Sequence, residues 1–468
     1  MQDLTILDQL KKDCKKAAQL ISASNDILIV SHIDADGITS AAIAATTCKR
    51  LGKEYRVVFA KKMSEEIIEQ INCSKESVVW ITDLGSGYVS RYDRDNIVIT
   101  DHHIPDSKWH KGQTSLFSFN RIEHLNPHLY GMDGSTEVCG AGMTYLLSKS
   151  IDDSNIDLAQ LAVVGACGDI QDTSNGLVGL NKLILQDAVD NGDISVVKDL
   201  RLFGRETRNL IQFLQYSSDP KIPILGENGI ACSKLYSSLD IPLKDGTKNR
   251  CWNDLSPNEK ERVTSAIRKM MAPEDFATAF GDTYVFNKHK RHSELRDGKE
   301  YATLLNSCGR YDDAETGMYI CMGDQNAIEK AKKNRNEHRQ NISTSISLVK
   351  EKQLVKICNS IQYFNAGSEI KETVVGIVAS MILNTEGFRR DLPIIAFADA
   401  EDGVKVSARA DRSLVDRGLN LAFVMEVASE IVGGYGGGHN IAAGATIPKG
   451  KEKEFLEAVN DIVAAQII

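Results

Sequence analysis

Four short apolar runs rich in β-branched residues fall within the first hundred residues. They are Asp26 to Ser31 (DILIVS), Tyr55 to Ala60 (YRVVFA), Ser77 to Thr82 (SVVWIT) and Asn96 to Thr100 (NIVIT). Runs of that length and composition read as strands buried on both faces. The small-residue segment from Gly37 to Leu51 reads as a helix packed close to a sheet, and helical patterns dominate from about Ala141 to Ala188. This alternation predicts a parallel α/β sheet with helices on both faces.

The remaining chain suggests further domains, because 468 residues are too many for one hydrophobic core. The pattern turns irregular from Lys198 to Asn258, broken at Asp219-Pro220 and Ile222-Pro223, and reads as a connecting region. Helical stretches follow near Asn258 to Met271, and the charged run Glu329 to Arg339 reads as an exposed helix. A second strand–helix pattern begins near Val355, with a helix over Thr373 to Leu383 and strands at Pro393 to Ala398 and Gly403 to Ala408. A glycine-rich loop and a last helix close the chain. The expected fold class is therefore α/β: a parallel-sheet domain (1–195), a partly helical middle region (196–345) and a smaller α/β domain (346–468). No internal repeat or low-complexity tract is present.

Composition narrows the function. Hydrophobic residues at 42% and charged residues at 25% are ordinary for a soluble globular protein. The polar N-terminus does not resemble a signal peptide, and no apolar run approaches the ~18 residues of a membrane span. Ten scattered cysteines without a C-x-x-C pair fit reduced thiols and a cytoplasmic location. A net charge of −9 argues against a protein that coats duplex DNA, so nucleic-acid contact would be local and assisted by metal ions.

Chemistry is concentrated where the strands end. DILIVS runs into His32, Asp34 and Asp36; SVVWIT runs into Asp83; NIVIT runs into Asp101, His102 and His103. Taken singly, each is a turn, a helix cap or a surface pair. Three such groups at successive strand ends should converge on one crevice, because parallel sheets gather ligands beyond their carboxyl ends. Carboxylates with imidazoles suit Mn²⁺, Mg²⁺ or a similar divalent ion.

His32-x-Asp34-x-Asp36-Gly37, Asp83, Asp101-His102-His103 and Gly165-Ala-Cys-Gly-Asp169 resemble the four successive motifs of the DHH phosphoesterases. Gly436-Gly-Gly-His439 through Gly444, with Ser407-Ala-Arg409 upstream, resembles the associated DHHA1 domain. Val375 to Ser380 resembles a RecJ segment. Lys198 to Arg208 and Tyr301 to Arg310 look like the archaeal RecJ-like nucleases, some of which associate with the GINS complex of the replicative helicase, so the resemblance implies that the middle region is a family-specific module rather than a random linker.

The resemblance implies a two-metal exonuclease that hydrolyses single-stranded DNA or RNA from an end in replication or repair, with Mn²⁺ expected and Mg²⁺ as the alternative. Asp83 would be the bridging carboxylate. Asp34, with or without His32, would hold one ion; Asp36, His102 and Asp169 would hold the other. His32 alternatively lines the site without touching metal, and Asp169 alternatively is a helix C-terminal turn residue. His103 would face the phosphate as a charge stabiliser or proton donor, with Asp101 orienting a histidine ring. Ser407, Arg409, Gly437, Gly438 and His439 would hold substrate phosphate. Asn306 and Arg310 either contact substrate or form one face of a structural helix, and the basic run from Lys330 reads more simply as a solvated face. Two other activities stay open: a phosphodiesterase for oligonucleotides or cyclic dinucleotides, and a non-catalytic replisome scaffold of the kind some RecJ relatives have become. A pyrophosphatase of related fold would lack the GGGH-type loop.

Overall fold

A computed structural model describes residues 2–107, 122–217, 220–385 and 387–467; Asp219, one of the expected breaks, lies outside them. The chain forms two compact units, residues 1–331 and 332–468.

The first unit begins α1 (Gln2–Ala23), β1 (Asp26–His32), α2 (Ala35–Arg50), β2 (Glu54–Ala60), α3 (Glu65–Asn72), β3 (Val78–Thr82), β4 (Ile97–Thr100) and β5 (Ile122–Leu125). It continues through α4 (Gly140–Ile151), α5 (Ala159–Gly168) and α6 (Gly179–Asp190). The five strands are all parallel, in the order β2-β1-β3-β4-β5. Period-two alternation sorts the side chains. Ile27, Ile29, Trp80 and Val98 enter a core shared with α1, α2, α4 and α5, whereas Leu28, Val30, Val79 and Ile81 pack with Ile68 and Ile71 of α3. Both faces are therefore covered, as the continuous apolar runs require. The chain steps from β1 outward to β2 and then back across to β3. The switch point thus lies between β1 and β3, and the crevice opens beyond their carboxyl ends.

The middle segment, irregular in its pattern, is folded. It comprises β6 (Ile194–Leu200), α7 (Leu210–Gln215), α8 (Gly229–Ser238), the two-residue strands β7 (Lys244–Asp245) and β8 (Lys248–Asn249), α9 (Pro257–Met270), α10 (Pro273–Ala279) and β9 (Phe280–Phe286). β6 pairs antiparallel with β9, and Phe213 stacks on Trp252 at 5.0 Å within a core of its own. Its helices are short, and the middle of β6 is exposed on both sides, so neither shows a long apolar period. α11 (Gly298–Arg310) and α12 (Ala314–Cys321) return to the core of the parallel sheet through Leu304, Leu305 and Met318. α13 (Gln325–Glu351) contains the expected charged helix and spans the unit boundary.

The second unit contains β10 (Lys356–Ile357), β11 (Gln362–Asn365), α14 (Glu372–Leu383), β12 (Ile394–Ala400), β13 (Gly403–Arg409), α15 (Arg412–Asp416), α16 (Leu421–Ile431), β14 (Tyr435–Gly438), β15 (Ala442–Ile447) and α17 (Glu452–Gln466). Its six strands run in the order β10-β11-β12-β13-β15-β14 and are mixed, with only β11 and β12 parallel. α16 and α17 cover one face and α14 the other. The glycine-rich stretch expected as a loop is an edge strand, β14. A Cβ on Gly436 would stand 2.5 Å from the Met425 carbonyl oxygen, so only glycine lets this strand lie so close to α16.

All ten cysteines are free. Among the described residues no helix is long and apolar enough to cross a membrane.

Candidate metal centre

β3 is the middle strand of the parallel sheet, with β1 and β4 on either side. Their carboxyl ends therefore deliver His32, Asp83 and Asp101-His102-His103 to adjacent positions. Asp34 caps α2, its carboxylate accepting from Gly37 N at 2.9 Å. The helix-cap reading and the site reading of this residue both hold geometrically. Asp36, in the first turn of α2, is fully buried and accepts from Gly140 N at 2.6 Å and Ala141 N at 2.9 Å at the start of α4. Asp169 stands at the C-cap of α5.

Two triads result: His32, Asp34 and Asp83, and Asp36, His102 and Asp169, each with ligand atoms within 4.8 Å of one another. His32 Nδ1 lies 2.9 Å from Asp34 Oδ2 and 3.6 Å from Asp83 Oδ2. His102 Nε2 lies 3.3 Å from Asp83 Oδ1, 3.2 Å from Asp169 Oδ2 and 3.8 Å from Asp36 Oδ2. Asp83 thus offers one oxygen to each triad. It is 1% exposed, and beyond the two histidine rings neither oxygen meets a hydrogen-bond donor. A buried carboxylate left in that state is costly unless cations meet it, so the donor set fits divalent metal.

The charge environment points the same way. Burial, followed by the nearby Asp83 charge, pushes the Asp36 carboxyl up to about 8. Burial and then Asp36 push Asp169 up to about 7. Burial and the Asp34 charge raise Asp83 as well. Burial alone would lower both histidines, but Asp34 and Asp83 outweigh it at His32 and bring it to about 10. Asp83, Asp36 and Asp169 do the same at His102, to about 11. The cluster holds protons where cations would otherwise sit.

Hydrogen bonds behind the cluster fix the rings. His102 Nδ1 donates to Gly134 O at 2.7 Å, which turns Nε2 toward the acids. His103 is 56% exposed, and its Nδ1 bonds Asp101 Oδ1 at 2.8 Å. Asp101 Oδ1 also accepts from the backbone of His102 (2.7 Å) and His103 (3.2 Å), and Oδ2 from Ser86 N (2.9 Å). Burial opposes ionisation of Asp101, but His103 and these donors hold its carboxyl well below the usual carboxylate range. These bonds fix the His103 ring against Asp101.

Several further residues support the cluster. Asn306 of α11 accepts from Ala35 N at 2.8 Å, steadying the turn between Asp34 and Asp36. Gly309, three residues on, lets α11 approach the Ile33 carbonyl. Gly140 leaves room for Asp83, since a Cβ there would meet the Asp83 Cβ at 2.6 Å. Asn126 Nδ2 bonds Ser86 Oγ and His103 O, both at 2.8 Å. The Asn306–Arg310 segment carried a weak signal, whereas Gly140 and Asn126 carried none.

Within the second unit, Ser407 and Arg409 lie on β13, and Ser407, Gly444 and Gly437 form one cross-strand row. Gly438 ends β14, and His439 opens the exposed turn to β15. Ser407 is buried; Arg409 Nε bonds Ser380 Oγ at 3.0 Å and Nη1 bonds Ala408 O at 2.8 Å. Open space surrounds the position a Gly437 Cβ would take, so packing alone does not require glycine there.

This fold and site define a DHH phosphoesterase. Residues 26–166 match the DHH family, N-terminal domain; residues 202–279 match the DHH-CID domain; residues 354–465 match the DHHA1 domain. An uncharacterized protein of Methanocaldococcus jannaschii is 30% identical over 100% of this chain and 99% of its own length. The chain belongs to the DHH/DHHA1 phosphoesterase family. The single-stranded-DNA-specific exonuclease RecJ of Escherichia coli is 22% identical over 93% of this chain and 66% of its own length, so this chain spans only about two thirds of that relative. Among solved structures, exonuclease RecJ bound to manganese aligns over 96% of this chain and 94% of its own, at 16% identity and a TM-score of 0.53. CDC45 from Entamoeba histolytica aligns over 98% of each chain at 12% identity and a TM-score of 0.61. The fold is RecJ-like.

Proposed function

We propose that this chain is a two-metal exonuclease that removes nucleotides from an end of single-stranded DNA or RNA, with Mn²⁺ as the preferred ion and Mg²⁺ as the alternative. The observation that carries the reading is Asp83, a fully buried carboxylate met only by the two histidine rings, with one oxygen turned toward each histidine-containing triad. His32, Asp34 and Asp83 would hold one ion, and Asp83, Asp36, His102 and Asp169 the other. Divalent ions held there would supply a nucleophilic water at neutral pH and charge stabilisation at the attacking and leaving oxygens. His103 does the protein's own proton work. Its Nδ1 is held by Asp101, its pKa is raised chiefly by that bond, and its exposed ring would turn Nε2 to the leaving oxygen. Ser407, Arg409, Gly437, Gly438 and His439 clamp substrate phosphate, Arg409 through its guanidinium and the glycines through open backbone.

The likeness to the Escherichia coli single-strand-specific exonuclease supports a polymer substrate over a di- or cyclic dinucleotide. The CDC45-like fold favours a second role beside catalysis, as a component docked on a GINS-type replisome partner. The complete acid set speaks against a scaffold role alone.

The test is incubation with Mn²⁺ and single-stranded oligonucleotides, DNA and RNA, labelled at either end, beside Asp83→Asn. Stepwise shortening that needs metal and is absent in the variant is expected. Turnover of dinucleotides but no longer strand would move the substrate to the smaller class, and no turnover of any phosphodiester would leave the scaffold.

A further inference from the structure

Helix α5 ends in a paired hydrogen-bond motif: Ile170 N donates to Cys167 O at 3.3 Å and Gln171 N donates to Ala166 O at 2.9 Å. The residue between such bonds takes a left-handed conformation, which glycine normally supplies. Here it is Ile170, with φ 58°. A β-branched residue in that conformation is an outlier, because its Cβ crowds the following carbonyl; Ile224 of the middle module (φ 69°) is another, so what sets Ile170 apart is its place beside Asp169. Packing does not explain the choice, since Ile170 is 82% exposed. The backbone beneath it is fixed. Gln171 is buried, donates to Gly134 O at 3.0 Å and accepts from Asn181 at 2.6 Å. Gly134 O is the same atom that orients His102. Ile170 is therefore a rigid, bare apolar peg one peptide beyond Asp169. A second exposed isoleucine, Ile104 at 79%, follows His103, whose carbonyl is held by Asn126.

We propose that Ile170, with Ile104, forms the surface against which the nucleobase beside the scissile phosphate lies, so that the site takes strands whose terminal base is unstacked. This rests on the nuclease reading above. An isoleucine cannot hold a phosphate or a sugar hydroxyl; the apolar part of a nucleotide adjoining a phosphate is the face of its base. Aromatic residues are only 6% of the chain, and the peg supplies a base-contacting surface of another kind. Strain kept beside a metal ligand without a packing return is the pattern of a position held for ligand contact.

The experiment compares wild type with Ile170→Gly, which relieves the backbone, and Ile170→Asn, whose side chain tolerates the conformation. Each is assayed with Mn²⁺ on a single-stranded oligonucleotide and on the same strand carrying abasic residues at the attacked end. The expected result for Ile170→Gly is an unlowered melting temperature, a roughly tenfold fall in kcat/KM on the normal strand and no change on the abasic one. Equal turnover of the normal strand by wild type and variants would overturn the proposal, as would an equal fall on both strands. If wild type cuts neither strand, the nuclease reading fails separately. The peg is then judged by fluorescence anisotropy of single-stranded DNA, where equal affinity of wild type and Ile170→Gly overturns it. Binding of a protein rather than a strand at this surface would show as that same equality.

Discussion

Replacing Gly309 by alanine tests how strongly the metal-ligand turn after β1 depends on α11. A Cβ at Gly309 would stand 1.8 Å from the Ile33 carbonyl oxygen and 2.8 Å from its carbon, both backbone atoms. Real Cβ contacts essentially never fall below 3.0 Å, which leaves 1.2 Å to be found by moving the helix or the turn. Asn306 grips the same turn through Ala35 N at 2.8 Å, so separation also strains that bond. Alanine gains about 1 kcal/mol in helix propensity. Overpacking costs about 1–3 kcal/mol and the weakened hydrogen bond about 1 kcal/mol. The net loss is about 1–3 kcal/mol, a fall of a few degrees in melting temperature. Function suffers more, because Asp34 moves with the turn, and a displacement of about 1 Å at a reacting centre costs ~100-fold in rate. The assay follows Mn²⁺-dependent shortening of a labelled single strand together with the Mn²⁺ concentration needed for half-maximal rate. We expect kcat to fall and the Mn²⁺ requirement to rise while KM for the strand holds. Wild-type kcat and Mn²⁺ requirement in the folded variant would refute the reasoning.

Asp83→Asn keeps a residue type that tolerates the left-handed backbone at this position (φ 56°) and removes a buried charge that sits among other acids. Its metal-free melting temperature should rise above wild type while the Mn²⁺-induced increase disappears, as read by scanning fluorimetry. In the wild type, Asp169 (about 7), Asp36 (about 8), His32 (about 10) and His102 (about 11) all lie above their unfolded values. Groups shifted upward contribute stability at low pH and lose it as pH rises through the folded values. Metal-free protein should therefore lose stability from pH 6 to 9. Mn²⁺, which competes with those protons, should bind more tightly and stabilise more over the same interval. Arg409→Ala should raise KM for the strand about tenfold with kcat nearly unchanged, in steady-state kinetics; an unchanged KM would remove Arg409 from the phosphate clamp.

The parallel sheet was legible because its strands are continuous apolar runs, as burial on both faces demands. The convergence of the acids and histidines was legible because groups at successive carboxyl ends of a parallel sheet meet in one crevice. β5 was not, since IEHL carries a charge and a histidine and spans four residues. The internal fold of the middle module stayed hidden because β6 pairs with β9 eighty or more residues later and its middle residues are exposed on both sides. β14 looked like a loop because four glycine-rich residues carry no β-propensity; the close approach of Met425, a tertiary fact, makes them a strand. The residues behind the site share that difficulty. Asn306 and Ala35 are 271 positions apart, and only the folded chain shows that one holds the other. Ile170 was passed over because an isoleucine after a motif aspartate looks ordinary until its φ and exposure are known.

The central claim is that Asp83 joins two metal positions into one site. The most direct measurement is titration of metal-free protein with Mn²⁺, counting bound ions and recording electron paramagnetic resonance spectra of wild type and Asp83→Asn. Two ions per chain with the exchange-coupled signal of a manganese pair ~3.5–4 Å apart, lost in the variant, is the predicted result. One bound ion, two uncoupled ions, or coupling that survives without the Asp83 carboxylate would contradict it.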